Sequence, residues 1–254
     1  MTKEMTSLNE TELNDLNKIS QSYYMPPIIA ELEAHQKRQG LDLTQSLDYL
    51  HDILVGALES VELLLDERQR NGQIKDKSQA RKSIAGNAFS QLVKYIFLKL
   101  KAQGAIRANI FITSNPAQHA LISDMVTIGV GNETQKPDMD LAIYSVTETN
   151  QLNKCFIISL KTSLRERAGQ TYKWKLLLEI ATSDNPIKEK YNITYKSTSM
   201  PLVGFVTVNF YNEINNPQHR GMFQFFDRAF IGKPLKSDFI ENLSRLPRFV
   251  NENL

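Results

Sequence analysis

Between Asp42 and Arg70, apolar residues recur every three or four positions at Leu47, Leu50, Leu54, Leu58, Val61 and Leu65. That spacing predicts one long amphipathic helix, with Thr44 as N-cap and Asn71-Gly72 as terminator. The stripe reads first as a packing face, and second as a dimerisation or specificity element. A shorter helix is predicted over 28–38, after Pro26-Pro27, and a further one from Ile84 to Lys101, with Phe89, Val93, Ile96, Phe97 and Leu100 on one side. Residues 1–20 are polar and acidic, which predicts a weakly ordered arm or a marginal helix. Residues 72–81 read as a connector.

Beyond this point the pattern shortens to strands rich in Ile, Val, Phe and Thr, at 108–113, 121–128, 140–146, 154–160 and 201–209. A helix over 168–182, with Trp174, Leu177, Leu178 and Ala181 as its stripe, separates the last two. The expected fold class is α/β, a central mixed sheet flanked by helices. A helical subdomain at 1–80 would precede a core at 81–254.

Composition narrows the function by exclusion. The net charge of the 254 residues is +2, so attraction to a polyanion would come from local clusters. A single cysteine, Cys155, rules out an internal disulfide and disfavours structural zinc. It lies in the apolar run CFIISL and reads as a small buried hydrophobe. His35, His51, His119 and His219 share no metal-ligand spacing, and Gly232-Lys233 runs into Pro234, so no nucleotide-binding loop is present. The polar N-terminus and the lack of a membrane-length apolar run predict a cytoplasmic protein with no membrane partner.

Chemistry concentrates between Gln135 and Ile180. QKPDMDLAIYS places Asp138 and Asp140 at the entrance to a strand, and KCFIISLKTS ends the next strand at Lys161. If the two strands form a hairpin, Asp138 and Lys161 meet at one sheet edge. A carboxylate there can bind Mg²⁺, and a lysine can orient a water and offset phosphate charge, which together suit phosphodiester hydrolysis. A turn aspartate and a surface lysine are the competing reading of so short a motif.

Arg165-Glu166-Arg167, starting four residues after Lys161, adds a second element. Arginine forks can bond guanine O6 and N7, and a glutamate can accept from cytosine N4, so the triplet suits neighbouring G·C pairs. A solvated helix start is the alternative. With Pro137-Asp138, Ser159-Leu160-Lys161 and the triplet, the chain resembles the type II restriction endonucleases of the PD-(D/E)xK superfamily, in the subgroup reading CCGG or CCNGG cores, with BsaWI-like enzymes as the nearest group.

The resemblance implies a restriction-endonuclease-like nuclease core over 81–254 and Mg²⁺-dependent double-strand cleavage of DNA. It implies Asp138, Lys161, Ser159 and Glu179 as catalytic positions, with Asp138 and Glu179 on the metal and Ser159 replacing the usual acid two residues before the lysine. Arg165, Glu166 and Arg167 would read bases, while Lys173 and Lys175, along with Lys188, Lys190 and Lys196, would touch phosphates. Asp140 is a further metal candidate, and Gln91 stands where related nucleases sometimes carry an acid. A symmetric CC·GG site implies a homodimer or higher homo-oligomer, and a protecting DNA methyltransferase as functional partner. A repair nuclease of the same superfamily, or a decayed DNA-binding protein, would carry the same residues.

Overall fold

The computed structural model describes residues 8–254, apart from the side chains of residues 165–168 and 218–219. The described chain begins with helices α1 (Glu10–Gln21), α2 (Met25–Gln39), α3 (Leu43–Ser46), α4 (Leu50–Gly56), α5 (Leu58–Arg70) and α6 (Lys77–Ala102). Strands β1 (Ile110–Thr113), β2 (Ile128–Val130), β3 (Glu133–Gln135), β4 (Leu141–Val146) and β5 (Leu152–Lys161) follow. Then come α7 (Arg165–Thr182), α8 (Pro186–Lys190), β6 (Ile193–Tyr195), β7 (Leu202–Thr207), α9 (Pro217–Phe223), β8 (Arg228–Ile231), β9 (Glu241–Asn242) and α10 (Leu246–Asn253).

Six strands form the central sheet in the order β1-β4-β5-β7-β8-β9. β1, β4 and β5 are antiparallel neighbours, whereas β5, β7, β8 and β9 run parallel. Parallel neighbours need crossovers, and α7 lies in the one from β5 to β7 and α9 in the one from β7 to β8. Because helices cover both faces, β5 is apolar on both sides, as CFIISL already indicates. Phe156, Ile158 and Leu160 join a core with the N-terminal helices, α6 and α10. Cys155 and Ile157 join another with Trp174, Leu178 and Ala181 of α7. Gly204 of β7 makes room for the Phe156 ring of the neighbouring β5, with which a Cβ there would collide.

The predicted helix over 42–70 is three helices and a 3-10 turn, Leu47–Tyr49. Asp42, rather than Thr44, caps the start, accepting from Gln45 N at 2.7 Å while Gln45 Oε1 accepts from Asp42 N at 3.0 Å. The helix then breaks where His51 N donates to Gly232 O at 2.8 Å, tying α4 to the end of β8. Gly232 is a close-approach glycine: a Cβ would sit 3.1 Å from Leu50 Cβ.

The polar N-terminal stretch also proves more ordered than its composition suggests. Asn9 and Glu12 form a reciprocal capping box for α1, and Glu12 then pairs with the fully buried Lys101 at 2.6 Å. Asp15 pairs with Lys94 at 2.7 Å. Two lysines on the inner side of α6 thus find their counter-charges on α1. α6 itself runs unbroken through residue 80, where the sequence suggested a boundary.

Residues 121–127 are turns, not strand. Ile122, Met125 and Val126 reach the core with three- and four-residue spacing, and Ser123 N and Val126 N each donate to a carbonyl four residues back. The adjoining β2 belongs to a small sheet ordered β3-β2-β6. No helix of the described residues is long and apolar enough to cross a membrane.

Candidate active site

The antiparallel β4–β5 hairpin sets Leu141 opposite Ile158, so residues preceding β4 lie beside the end of β5. Asp140 N donates to Ile158 O at 3.0 Å, continuing the ladder. Its Oδ2 accepts from Leu160 N at 2.7 Å and lies 3.0 Å from Lys161 Nζ. Asp138 Oδ2 is also 3.0 Å from that ammonium. Lys161 has only 7% of its side chain exposed, whereas Asp138 has 48% and Asp140 29%. The lysine is therefore fixed from below by the sheet, and the carboxylates open toward solvent.

Asp140 and Lys161 line a polar cleft of about 620 Å³, together with Met139, the residue after Asp138. Its opposite wall is α6, which presents Lys82, Ser83, Gly86, Asn87, Ser90 and Gln91. Ile84, Ala88 and Leu92 turn the other way into the core. The sequence pattern pointed to the apolar side of this helix and to Gln91, and not to the rest of its polar side. A 3.6-residue stripe of small polar groups was the available signal. Gln91 Oε1 is buried without a hydrogen-bond partner among the described residues.

Ser159 is 1% exposed and its Oγ likewise lacks a partner among the described residues. By strand alternation it shares the Ile157 face, toward α7. The side chains of Arg165, Glu166 and Arg167 lie outside the described residues, but their backbone forms the first turn of α7.

Glu179 and Lys175 sit elsewhere. Lys175 is 3% exposed and pairs with Asp227 at 3.0 Å and with Glu179 at 3.3 Å. Asp227 Oδ2 accepts from Val203 N at 2.7 Å, near the start of β7, whereas Lys161 is in register with Thr207, the last residue of that strand. Four residues of parallel strand separate those levels by roughly 13 Å. α7 descends along the sheet away from Lys161, and its length carries Glu179 roughly 20 Å from the helix start. The structure thus brings Asp138, Asp140 and Lys161 together and leaves Glu179 out, and it places Lys175 inside an ion pair rather than facing solvent. Lys173 is exposed.

Cys155 and His119 lie outside this cluster. Burial pushes the Cys155 thiol up to about 12. His119 Nε2 lies 3.1 Å from Tyr144 Oη, and burial lowers its pKa. Trp174 and Phe226 are buried, while Phe225 is 39% exposed and stacks on Tyr172 at 5.3 Å.

Among the described residues, no group of three or more His, Cys, Asp or Glu side chains could hold a metal ion. The donors that do converge, two carboxylates with hard oxygens beside one ammonium, fit a small divalent cation that keeps much of its own water.

A comparison with protein families finds a match to the family described as BsaWI restriction endonuclease, type 2, over residues 118–249. No curated protein sequence matches the chain. The matched segment contains the Asp138–Asp140–Lys161 cluster, α7 and the whole parallel half of the sheet.

Proposed function

From the premise that the chain belongs to the BsaWI family of type II restriction endonucleases, site-specific deoxyribonucleases acting on DNA, we propose Mg²⁺-dependent double-strand cleavage at a CC·GG core. The observation that carries the proposal is the approach of Lys161 Nζ to both Asp138 and Asp140 at 3.0 Å, on the edge of a polar cleft. In this reading Asp138 is the principal metal ligand, and Asp140 takes the second place expected for Glu179.

When bound, the cation would supply charge neutralisation at the scissile phosphate and acidify a water. Asp140, anchored by Leu160 N, fixes the lysine's position. Lys161 holds a positive charge where phosphate oxygens would lie and orients a water by donating to it. Low exposure of the ammonium limits competition from bulk water.

Arg165, Glu166 and Arg167, in the first turn of α7, are proposed to read the G·C pairs, since their chemistry matches the guanine and cytosine edges in the major groove. Exposed Lys173 is proposed to contact a phosphate. A symmetric site is most simply cut by a twofold homodimer, protected in the cell by a matching DNA methyltransferase.

Incubation with unmethylated plasmid DNA and Mg²⁺, followed by sequencing of the ends, tests the reading. Ends should share one site with a CC·GG core. Ends without common sequence would move the triplet to phosphate binding; a shared site lacking that core would overturn the base assignment.

A further inference from the structure

Only Thr162, Ser163 and Leu164 separate Lys161 from the triplet, so the geometry of this connector sets how the reading and cutting groups face each other. Leu164, the residue before α7, offers no side-chain acceptor to the helix's first amides. A distant loop supplies an acceptor for the N–H of Leu164 itself: Glu213 Oε2 takes it at 2.8 Å. A carboxylate there satisfies an orphan amide and suits the positive end of the helix dipole.

Glu213 is held in its turn. Its N–H donates to Asn209 Oδ1 at 2.8 Å, and Asn209 N donates to Thr207 Oγ1 at 2.9 Å. Thr207 is the register partner of Lys161. Phe210 N donates to Thr162 O at 3.1 Å, gripping the connector at its other end. Asn209 is 4% exposed and has φ of +49°, a left-handed conformation that asparagine adopts more readily than most residues. The loop after β7 therefore ties both ends of the connector to the strand beside Lys161.

We propose that Glu213 is a positioning residue that fixes the first turn of α7 relative to Lys161, and so couples base reading to cleavage. The proposal rests on the assignment of base reading to Arg165–Arg167. Glu213 acts through Leu164 and the backbone of α7. Its loss should loosen discrimination between sites while leaving overall affinity for DNA in place.

The test compares single-turnover cleavage by the full chain on the cognate duplex and on duplexes with one core base pair changed, with Mg²⁺. Binding in Ca²⁺ and thermal unfolding are measured in parallel. In Glu213→Ala the cognate-to-changed rate ratio should fall by about tenfold, the size of one lost capping hydrogen bond. Glu213→Gln, which keeps an acceptor oxygen, should stay within about threefold of wild type on the same scale. Asn209→Gly tolerates the left-handed backbone, removes the acceptor for Glu213 N, and should lower the ratio in the same direction; it decides the matter if Glu213→Ala does not fold.

An unchanged ratio in these variants, or an equal slowing on every duplex, would overturn the proposal. Arg165→Ala separates it from the underlying reading. A ratio that falls in Arg165→Ala but not in Glu213→Ala defeats the positioning role alone. A ratio unmoved by Arg165→Ala defeats the base-reading assignment, and the coupling with it.

Discussion

Replacing Lys161 with methionine should separate catalysis from folding. Methionine keeps a side chain of similar length but removes the ammonium lying 3.0 Å from both Asp138 and Asp140. Asp138 is half exposed and remains hydrated. Asp140 keeps its bond from Leu160 N at 2.7 Å. Neither carboxylate becomes a buried, unpaired charge, and burial of an ammonium no longer has to be offset. The stability cost should therefore resemble that of a partly exposed ion pair, at most about 1 kcal/mol, well short of the ~3–5 kcal/mol for breaking a fully buried one. A positioned proton-transfer or charge-stabilising group is worth roughly 10²–10⁴ in rate, or about 3–5 kcal/mol of barrier. Single-turnover cleavage should thus fall at least about a hundredfold. The urea midpoint should barely move, and binding to cognate DNA in Ca²⁺ should persist. Cleavage within tenfold of wild type would refute the assignment; so would a loss of rate that merely tracks unfolding.

Glu12→Gln leaves Lys101 buried without its carboxylate, close to the Phe111 ring, and should lower unfolding free energy in urea by about 3–5 kcal/mol; a loss under 1 kcal/mol would show that the pair does not hold α1. Gly86→Glu meets open space on the cleft side of α6 and raises helix propensity, so stability should rise by up to about 0.7 kcal/mol while added negative charge slows cleavage. Unchanged cleavage in that variant would remove α6 from the DNA path. Glu179→Ala should leave the Mg²⁺ dependence of cleavage where it is, because its carboxylate sits on Lys175; a tenfold rise in the Mg²⁺ needed would return it to the metal. The Cys155 thiol, with its pKa at about 12, should resist iodoacetamide at pH 8 until urea unfolds the chain; rapid alkylation of the native protein would contradict its burial.

The parts of the fold legible in the sequence were those whose pattern is local. β4, β5 and β7 announce themselves as β-branched runs because helices cover both faces. The break at His51 was not legible, since it is set by a backbone bond to Gly232, 181 residues later in the chain. The order of α1 was hidden for a similar reason. Its acidic residues resemble those of a solvated arm, and only the placement of Lys94 and Lys101 inside the molecule gives them partners. The run 121–128 misled because apolar content was read without its period: Ile122, Met125 and Val126 follow the spacing of turns, not alternation.

At the site, what could be read depended on how each residue's position is transmitted. Asp138 and Lys161 are linked by a hairpin, whose antiparallel register makes proximity follow from sequence alone. Asp140, two residues farther along and named only as a further metal candidate, turns its carboxylate back to Leu160 N and reaches the same ammonium. Glu179 lies on a helix, where distance accumulates at 1.5 Å per residue along a direction set by packing. Trp174 and Leu178 dock α7 against the sheet, and Lys175 and Glu179 are carried down to Asp227 with them. An additional turn on that helix does not return a side chain to the same place; it moves the side chain farther along the axis. The residue whose carboxylate meets the start of α7, Glu213, lies 49 positions after the Leu164 amide that donates to it, so no local motif could point to it. The proposed catalytic cluster can thus be read from a hairpin, whereas its proposed alignment with Arg165–Arg167 rests on a loop contributed by the neighbouring parallel strand.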